Sequence, residues 1–219
     1  MQICVVGSGT NVGKTLFSSL VMAKYAVSHD IFYWKPVQTG SDDDTATVLR
    51  LSGLDKSHTY PNLYSFTLPA SPHFAAEQEQ AQIDITVLKE QILQQKQKNL
   101  LLEWAGGLMV PLNRQTLSLD ILAELQIPVV LVVSSELGTI NHSLLSLKAL
   151  QLRKVPIIGY YFIGPNSKLT NDNIRTITEF SGEEFLGHFV LAGNLQAPLS
   201  NGINNRFDTT SRISNLFSS

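Results

Sequence analysis

A glycine-rich loop set between an apolar run and a helix-forming segment constrains this chain more than any other feature. The run Ile3-Cys4-Val5-Val6 leads directly into Gly7-Ser8-Gly9-Thr10-Asn11-Val12-Gly13-Lys14-Thr15. Glycines let successive backbone N–H groups turn toward one point, and a helix starting there adds positive potential. Lys14 brings a charge that neutralises terminal phosphates and Thr15 a hydroxyl for Mg2+, so the segment reads as a phosphate loop. Five residues separate Gly7 from Gly13 where the strict pattern has four. Either Ser8 stands in for the first glycine or the loop is a longer variant.

The rest of the chain supplies the fold that such a loop needs. Runs of strand length at Gln2–Val6, Ile31–Lys35, Asn99–Glu103, Val129–Ser134, Pro156–Ile163 and Glu184–Val190 alternate with amphipathic segments, which is the α/β pattern. Runs as continuously apolar as Val129-Val130-Leu131-Val132-Val133 suit strands buried on both faces of a parallel sheet. The expected architecture is a P-loop NTPase-like single domain over residues 1–219, a mostly parallel twisted sheet with helices on both faces. Helices are expected at Lys14–Ser28, Asp44–Leu51, Asp84–Gln97, Leu117–Leu125, Asn141–Arg153, Asn171–Phe180 and Thr209–Phe217. Gly164–Ser167 and Ala192–Asn205 read as loops.

Composition narrows the partners. Sixteen basic residues against eighteen acidic ones give a net charge of −2, so no electrostatic excess draws the chain to nucleic acid or anionic lipid. The single cysteine, Cys4, lies within an apolar run and is expected to be a buried, inert thiol. No apolar stretch approaches the roughly 20 residues of a membrane span, and Met1-Gln2 passes straight into a strand without a basic leader. A cytoplasmic protein acting on small molecules is expected.

A phosphate loop names no reaction by itself, since switches, kinases and ligases all use one. Four further segments fall where strands end and helices begin, the edge at which open α/β sheets bind ligands. They are Lys35-Pro36-Val37-Gln38-Thr39-Gly40, the acidic run Asp42-Asp43-Asp44, Glu103-Trp104-Ala105-Gly106-Gly107, and Leu137-Gly138-Thr139-Ile140-Asn141-His142. Thr15, Asp44 and Glu103 would give Mg2+ the hard oxygens it prefers beside phosphate. One or more of Asp42, Asp43 and Asp44 is expected to serve only as a helix cap. His73 and His142 lack a second histidine or cysteine at ligand spacing and read as structural or loop-positioning residues.

Together with Ser71-Pro72-His73-Phe74-Ala75-Ala76-Glu77, these motifs resemble, in order and spacing, those of the dethiobiotin synthases over roughly residues 3–165. The resemblance implies a homodimer that converts 7,8-diaminopelargonate, CO2 and ATP to dethiobiotin, ADP and phosphate. It implies nucleotide contacts at Gly9, Thr10, Asn11, Val12, Gly13, Lys14, Thr15 and Leu16, at Asp44, Glu103 and Gly106, and at Ile163 and Gly164. Lys35 would meet the carbamate formed when a substrate amine captures CO2, with Lys14 as the second catalytic cation. Thr10, Thr39 and Gly106 would contact the diamine. Backbone amides of Gly138, Thr139, Ile140 and Asn141 would hold the substrate carboxylate in the opposite subunit's site.

Two departures accompany the resemblance. Asn11 occupies a loop position that is acidic in some members. Where the family often places an asparagine that recognises the adenine edge, this chain reads Phe162-Ile163-Gly164-Pro165-Asn166. Either Asn166 takes over from the loop or other nucleoside triphosphates are accepted, and Ile163→Asn is expected to raise discrimination for ATP. Val190–Asn194 is expected to flank the base or ribose. The competing readings are a nucleotide-driven switch or partitioning ATPase and a related synthetase or non-catalytic binding module. The first usually carries an additional early lysine where this chain has Gly9, and it leaves Lys35 without a purpose.

Overall fold

The computed structural model describes residues 1–95, 98–190, 198, 199, 207 and 212–217. Strand β1 (Gln2–Gly7) leads through the glycine-rich loop into helix α1 (Lys14–His29). The chain continues through β2 (Ile31–Trp34), β3 (Val37–Thr39), α2 (Asp44–Ser52), β4 (Tyr64–Phe66), α3 (Pro72–Gln78), α4 (Ile85–Gln94) and β5 (Asn99–Gly107). It ends with α5 (Ser118–Leu125), β6 (Val129–Ser134), α6 (Thr139–Leu152), β7 (Ile157–Gly164), α7 (Lys168–Ser181) and β8 (Phe185–Val190).

Six strands form one sheet in the order β2-β5-β1-β6-β7-β8, and every pairing within it is parallel. The central place of β1 explains its continuous apolar sequence, because successive side chains enter cores on opposite faces. Cys4 and Val6 join a cluster that also takes Leu122 of α5, Leu147 of α6 and Ile177 of α7. Ile3 and Val5 join the other, with Phe17 and Leu20 of α1 and Val48 of α2. Both faces are therefore covered by helices. Burial raises the pKa of the Cys4 thiol, with a smaller contribution from Glu103, which keeps it protonated and inert.

Helix starts differ in a way that locates the site. Asp84 caps α4 by accepting from Thr86 and Val87 N–H, and Ser167 caps α7 through Thr170 N–H. Helices α1, α3 and α6 have no side-chain cap, and of these α1 is the one that follows the glycine-rich loop. That is the end at which an anion would be held.

Several short elements were not anticipated. Strands β3 and β4 form their own parallel pair, and α3 begins at Pro72. Helix α4 stops at Gln94, short of the expected Gln97; residues 96 and 97 lie outside the described residues. The expected C-terminal helix starts outside them as well, and Ser214–Phe217 is a 3-10 turn. Leu199, Phe207 and Phe217 are buried with α1 and α2.

Candidate active site

The loop between β1 and α1 is fixed by its own backbone. Ser8 N–H donates to Val132 O of the neighbouring β6 at 3.0 Å, and a Cβ on Gly7 would stand 2.6 Å from Gly9 O and 3.1 Å from Lys14 Nζ. Only glycine lets the chain close this tightly around the lysine. Lys14 Nζ donates to Gly9 O at 3.1 Å and is only 7% exposed. Burial holds its pKa below the usual lysine value, partly offset by Glu103 and Asp44 and reinforced by Lys35. The ammonium is thus short of partners, as suits a group awaiting phosphate.

Thr15, one residue on, stands between two carboxylates. Its Oγ1 is 2.8 Å from Asp44 Oδ1 and 2.9 Å from Glu103 Oε1. One hydroxyl proton cannot serve both acceptors, so three hard oxygens converge with a single proton among them. This donor set fits Mg2+, which takes a few protein oxygens and completes its shell with phosphate and water. Among the described residues no three His, Cys, Asp or Glu side chains cluster as a metal site of their own.

The acidic run divides its roles. Asp43 caps α2, accepting from Ala46 N–H at 2.9 Å; Asp42 is exposed, and its carbonyl accepts from Gln38 Nε2 at 2.7 Å. Asp42 and Asp44 both line the cleft, and Asp44 is the one that meets Thr15, its second oxygen accepting from Lys35 Nζ. Lys35 Nζ is also 3.8 Å from Glu103 Oε1. Lys14, Thr15, Lys35, Asp44 and Glu103 therefore meet in one cleft of about 730 Å³, whose walls include Thr10, Asn11, Gly13, Thr39 and Gly106.

Other sequence-predicted residues stand apart. Val12 is buried beneath the loop and Leu16 packs against the same cluster, while Gly9 and Gly164 lie outside the cleft lining. Ile163 is 6% exposed and belongs to the core. A Cβ on Gly13, whose φ is +99°, would sit 2.8 Å from Ile163 Cδ1. The Ile163 side chain packs beneath the loop and lines no part of the cleft. Gly138, Thr139, Ile140 and Asn141 start helix α6 and line no part of this chain's cleft. The part of Val190–Asn194 beyond Val190 lies outside the described residues.

His142 packs its ring over Gly138, 3.3 Å from where a Cβ would be. His73 borders a separate cavity of about 330 Å³ beside the Glu77–Arg114 ion pair. Sequence reasoning passed over Ser18, whose Oγ donates to Glu103 Oε2 at 2.6 Å. Two adjacent serines within an apolar stretch of α1, the first of them three residues after Thr15, were the available signal.

Comparison with known proteins agrees with this geometry. Residues 1–198 match the family model described as an AAA domain. An ATP-dependent dethiobiotin synthetase BioD from Leptospira interrogans is 45% identical over 194 residues, covering 89% of this chain and 88% of its own. The chain belongs to the dethiobiotin synthetase family. A dethiobiotin synthetase BioD from Nitrobacter hamburgensis is 46% identical over 188 residues, 85% of this chain and 84% of that one. Among solved structures, a ParA family ATPase from Chlorobium tepidum superposes with a TM-score of 0.53 at 13% identity, over 98% of this chain and 91% of that one. The MinC:MinD cell division protein complex of Aquifex aeolicus gives 0.54 at 13% identity, over 94% and 85%. At that identity the likeness shows the fold that the dethiobiotin synthetases share with these ATPases, and nothing of their activity.

Proposed function

We propose that this protein is an ATP-dependent ligase of biotin biosynthesis that closes a ureido ring on 7,8-diaminopelargonate (7,8-diaminononanoate) with CO2, giving dethiobiotin, ADP and phosphate. The observation that carries the reading is the meeting of Lys35 with the phosphate-loop residues Lys14 and Thr15 across one cleft. A switch needs the loop, but it has no use for a second buried cation at the far wall.

The steps follow from the charges. One substrate amine adds to CO2 and loses a proton, giving a carbamate. A carbamate oxygen attacks the γ-phosphorus and the bond to ADP breaks, leaving a carbamoyl phosphate anhydride. The second amine attacks its carbonyl carbon, the carbon–oxygen bond to phosphate breaks, and the ring closes with loss of a proton. Two anions must approach in the first transfer, and fixed positive groups stabilise the charge that moves in its transition state. Lys14 holds the terminal phosphates and Lys35 the carbamate. Burial of the amines near Lys35 favours their neutral, nucleophilic form, with Thr39 and Thr10 as neighbouring contacts.

Thr15, Asp44 and Glu103 are the residues that would hold Mg2+, which when bound offsets the charge of the terminal phosphates. The ion pair between Lys35 and Asp44 would then loosen, freeing Lys35 for the carbamate. The amides of Gly138–Asn141 lie outside their own chain's cleft, so in this reading they serve a partner copy in a homodimer and grip the substrate carboxylate there. A cytoplasmic location completes the proposal; among the described residues no helix is long and apolar enough to cross a membrane.

Incubation with the diamine, bicarbonate, Mg2+ and ATP, with product mass read directly, tests the reading. Formation of dethiobiotin with one ADP per ring supports it. ATP hydrolysis that ignores the diamine would remove it in favour of a switch.

A further inference from the structure

Glu103 is wholly buried at the functional end of β5, and its two carboxylate oxygens have separate partners. Oε1 faces Thr15 Oγ1 at 2.9 Å and Lys35 Nζ at 3.8 Å. Oε2 accepts from Ser18 Oγ at 2.6 Å, within the range of a hydroxyl bonded to an ionised carboxylate. Thr15 and Ser18 are one helical turn apart on α1, so a single rigid element addresses both oxygens. Ser18 is itself fully buried and lines no part of the cleft. It cannot touch nucleotide or substrate.

The final torsion of a glutamate is soft and roughly two-fold, so burial alone does not decide which way the carboxylate plane faces. The Tyr33 hydroxyl is also buried close by, where burial first and Glu103 next raise its pKa, but it makes no hydrogen bond of good geometry. We propose that Ser18 is a positioning residue: its hydroxyl anchors Glu103 Oε2 so that Oε1 is presented to Thr15 and to the divalent cation accompanying the nucleotide. The inference rests on the reading of Thr15, Asp44 and Glu103 as the cation's oxygens.

The test is calorimetric titration of the full chain with ADP at a series of Mg2+ concentrations, alongside ADP without Mg2+. In the parent, Mg2+ should tighten ADP binding. Removing an outer partner of a metal ligand typically weakens the metal about 10- to 100-fold, so Ser18→Ala should need at least about tenfold more Mg2+ for the same effect. Its Mg2+-free ADP affinity should stay within about twofold of the parent, since no phosphate contact is lost. Ser18→Cys, a weak donor of similar size, should fall between the two. Tyr33→Phe, which removes an unpaired hydroxyl, should keep the parent's Mg2+ requirement. The proposal is overturned if Ser18→Ala keeps the parent's Mg2+ dependence, if it weakens Mg2+-free binding equally, or if Tyr33→Phe shows the same loss. A parent that binds ADP without regard to Mg2+ overturns the cation site itself.

Discussion

Lys35 and Asp44 form an ion pair inside the cleft, and the other oxygen of the same Asp44 carboxylate lies 2.8 Å from the Thr15 hydroxyl. The lysine side chain is 8% exposed and the aspartate 22%, so the pair is shielded enough to matter. Lys35 thereby balances charge on both Asp44 and Glu103.

Lys35→Ala should therefore act twice. It leaves two carboxylates close together with Lys14 as the remaining nearby cation, costing on the order of 3 kcal/mol of stability by analogy with broken buried pairs. Thermal unfolding should show that loss, and added Mg2+ should raise the melting temperature more in the variant than in the parent. Nucleotide should still bind, while formation of dethiobiotin should fall to background. Near-normal turnover would show that the carbamate is held elsewhere.

Lys14→Met should strengthen the ligand-free fold while weakening nucleotide binding. Burial lowers the Lys14 pKa, so between its folded value and the ordinary lysine value the unfolded chain binds the proton more tightly. Stability contributed by this group rises with pH through that window and is at its lowest below it. Methionine removes the buried charge at similar volume. A bond to a charged group contributes about 1.5–3 kcal/mol, so ADP affinity should fall roughly ten- to a hundredfold. For the parent, ADP affinity should decline with rising pH before the ordinary lysine range is reached. Chemical denaturation with and without ADP reads both effects.

Much of this was legible in the sequence, and the parts that were not share a cause. Strands β1, β2, β6, β7 and β8 lie within a residue or so of their apolar runs, because strands buried on both faces carry their signal in every residue. Strands β3 and β4 have three residues each and are set by distant contacts such as Leu63 and Tyr64 N–H to Pro36 O, which no local pattern records. The phosphate loop announced Lys14 and Thr15 through residue types that only a phosphate needs together. The pairing of Lys35 with Asp44, and of Ser18 with Glu103 across 85 positions, exists only once β5 lies beside β1 and α1 packs across them. The core packing of Ile163 was not legible either, because a strand-end position looks alike from the sequence whether its side chain faces ligand or core.

That packing changes what Ile163→Asn should do. An amide placed beneath Gly13, with no partner there, should cost about 1–3 kcal/mol. Discrimination of ATP over CTP and GTP should not improve, because the new group enters the core. Denaturant midpoints together with competition between nucleotides check the expectation; a gain in ATP preference at unchanged stability would contradict it.

A shared site across two subunits can be tested by complementation. Ile140→Pro removes one backbone donor in the first turn of α6, where proline is tolerated. Lys35→Ala and Ile140→Pro should each be inactive alone. Mixed after reversible dissociation, half the dimers carry one of each, and one of their two sites is intact. Activity should recover to about a quarter of the parent's. No recovery would place the α6 amides in their own subunit's chemistry or outside it altogether.

The position of β1 also bears on how the chain is made. Residues 2–7 pair with residues 100–107 and 129–132, so β1 is made well before either of its neighbours. At about 5–20 residues per second, the wait for β5 lasts roughly 5–20 s. Throughout it, Ile3, Cys4, Val5 and Val6 have no sheet to enter. Chaperone engagement during translation is thus set less by the stability of the finished enzyme than by the topology that places its phosphate loop at the centre of the sheet.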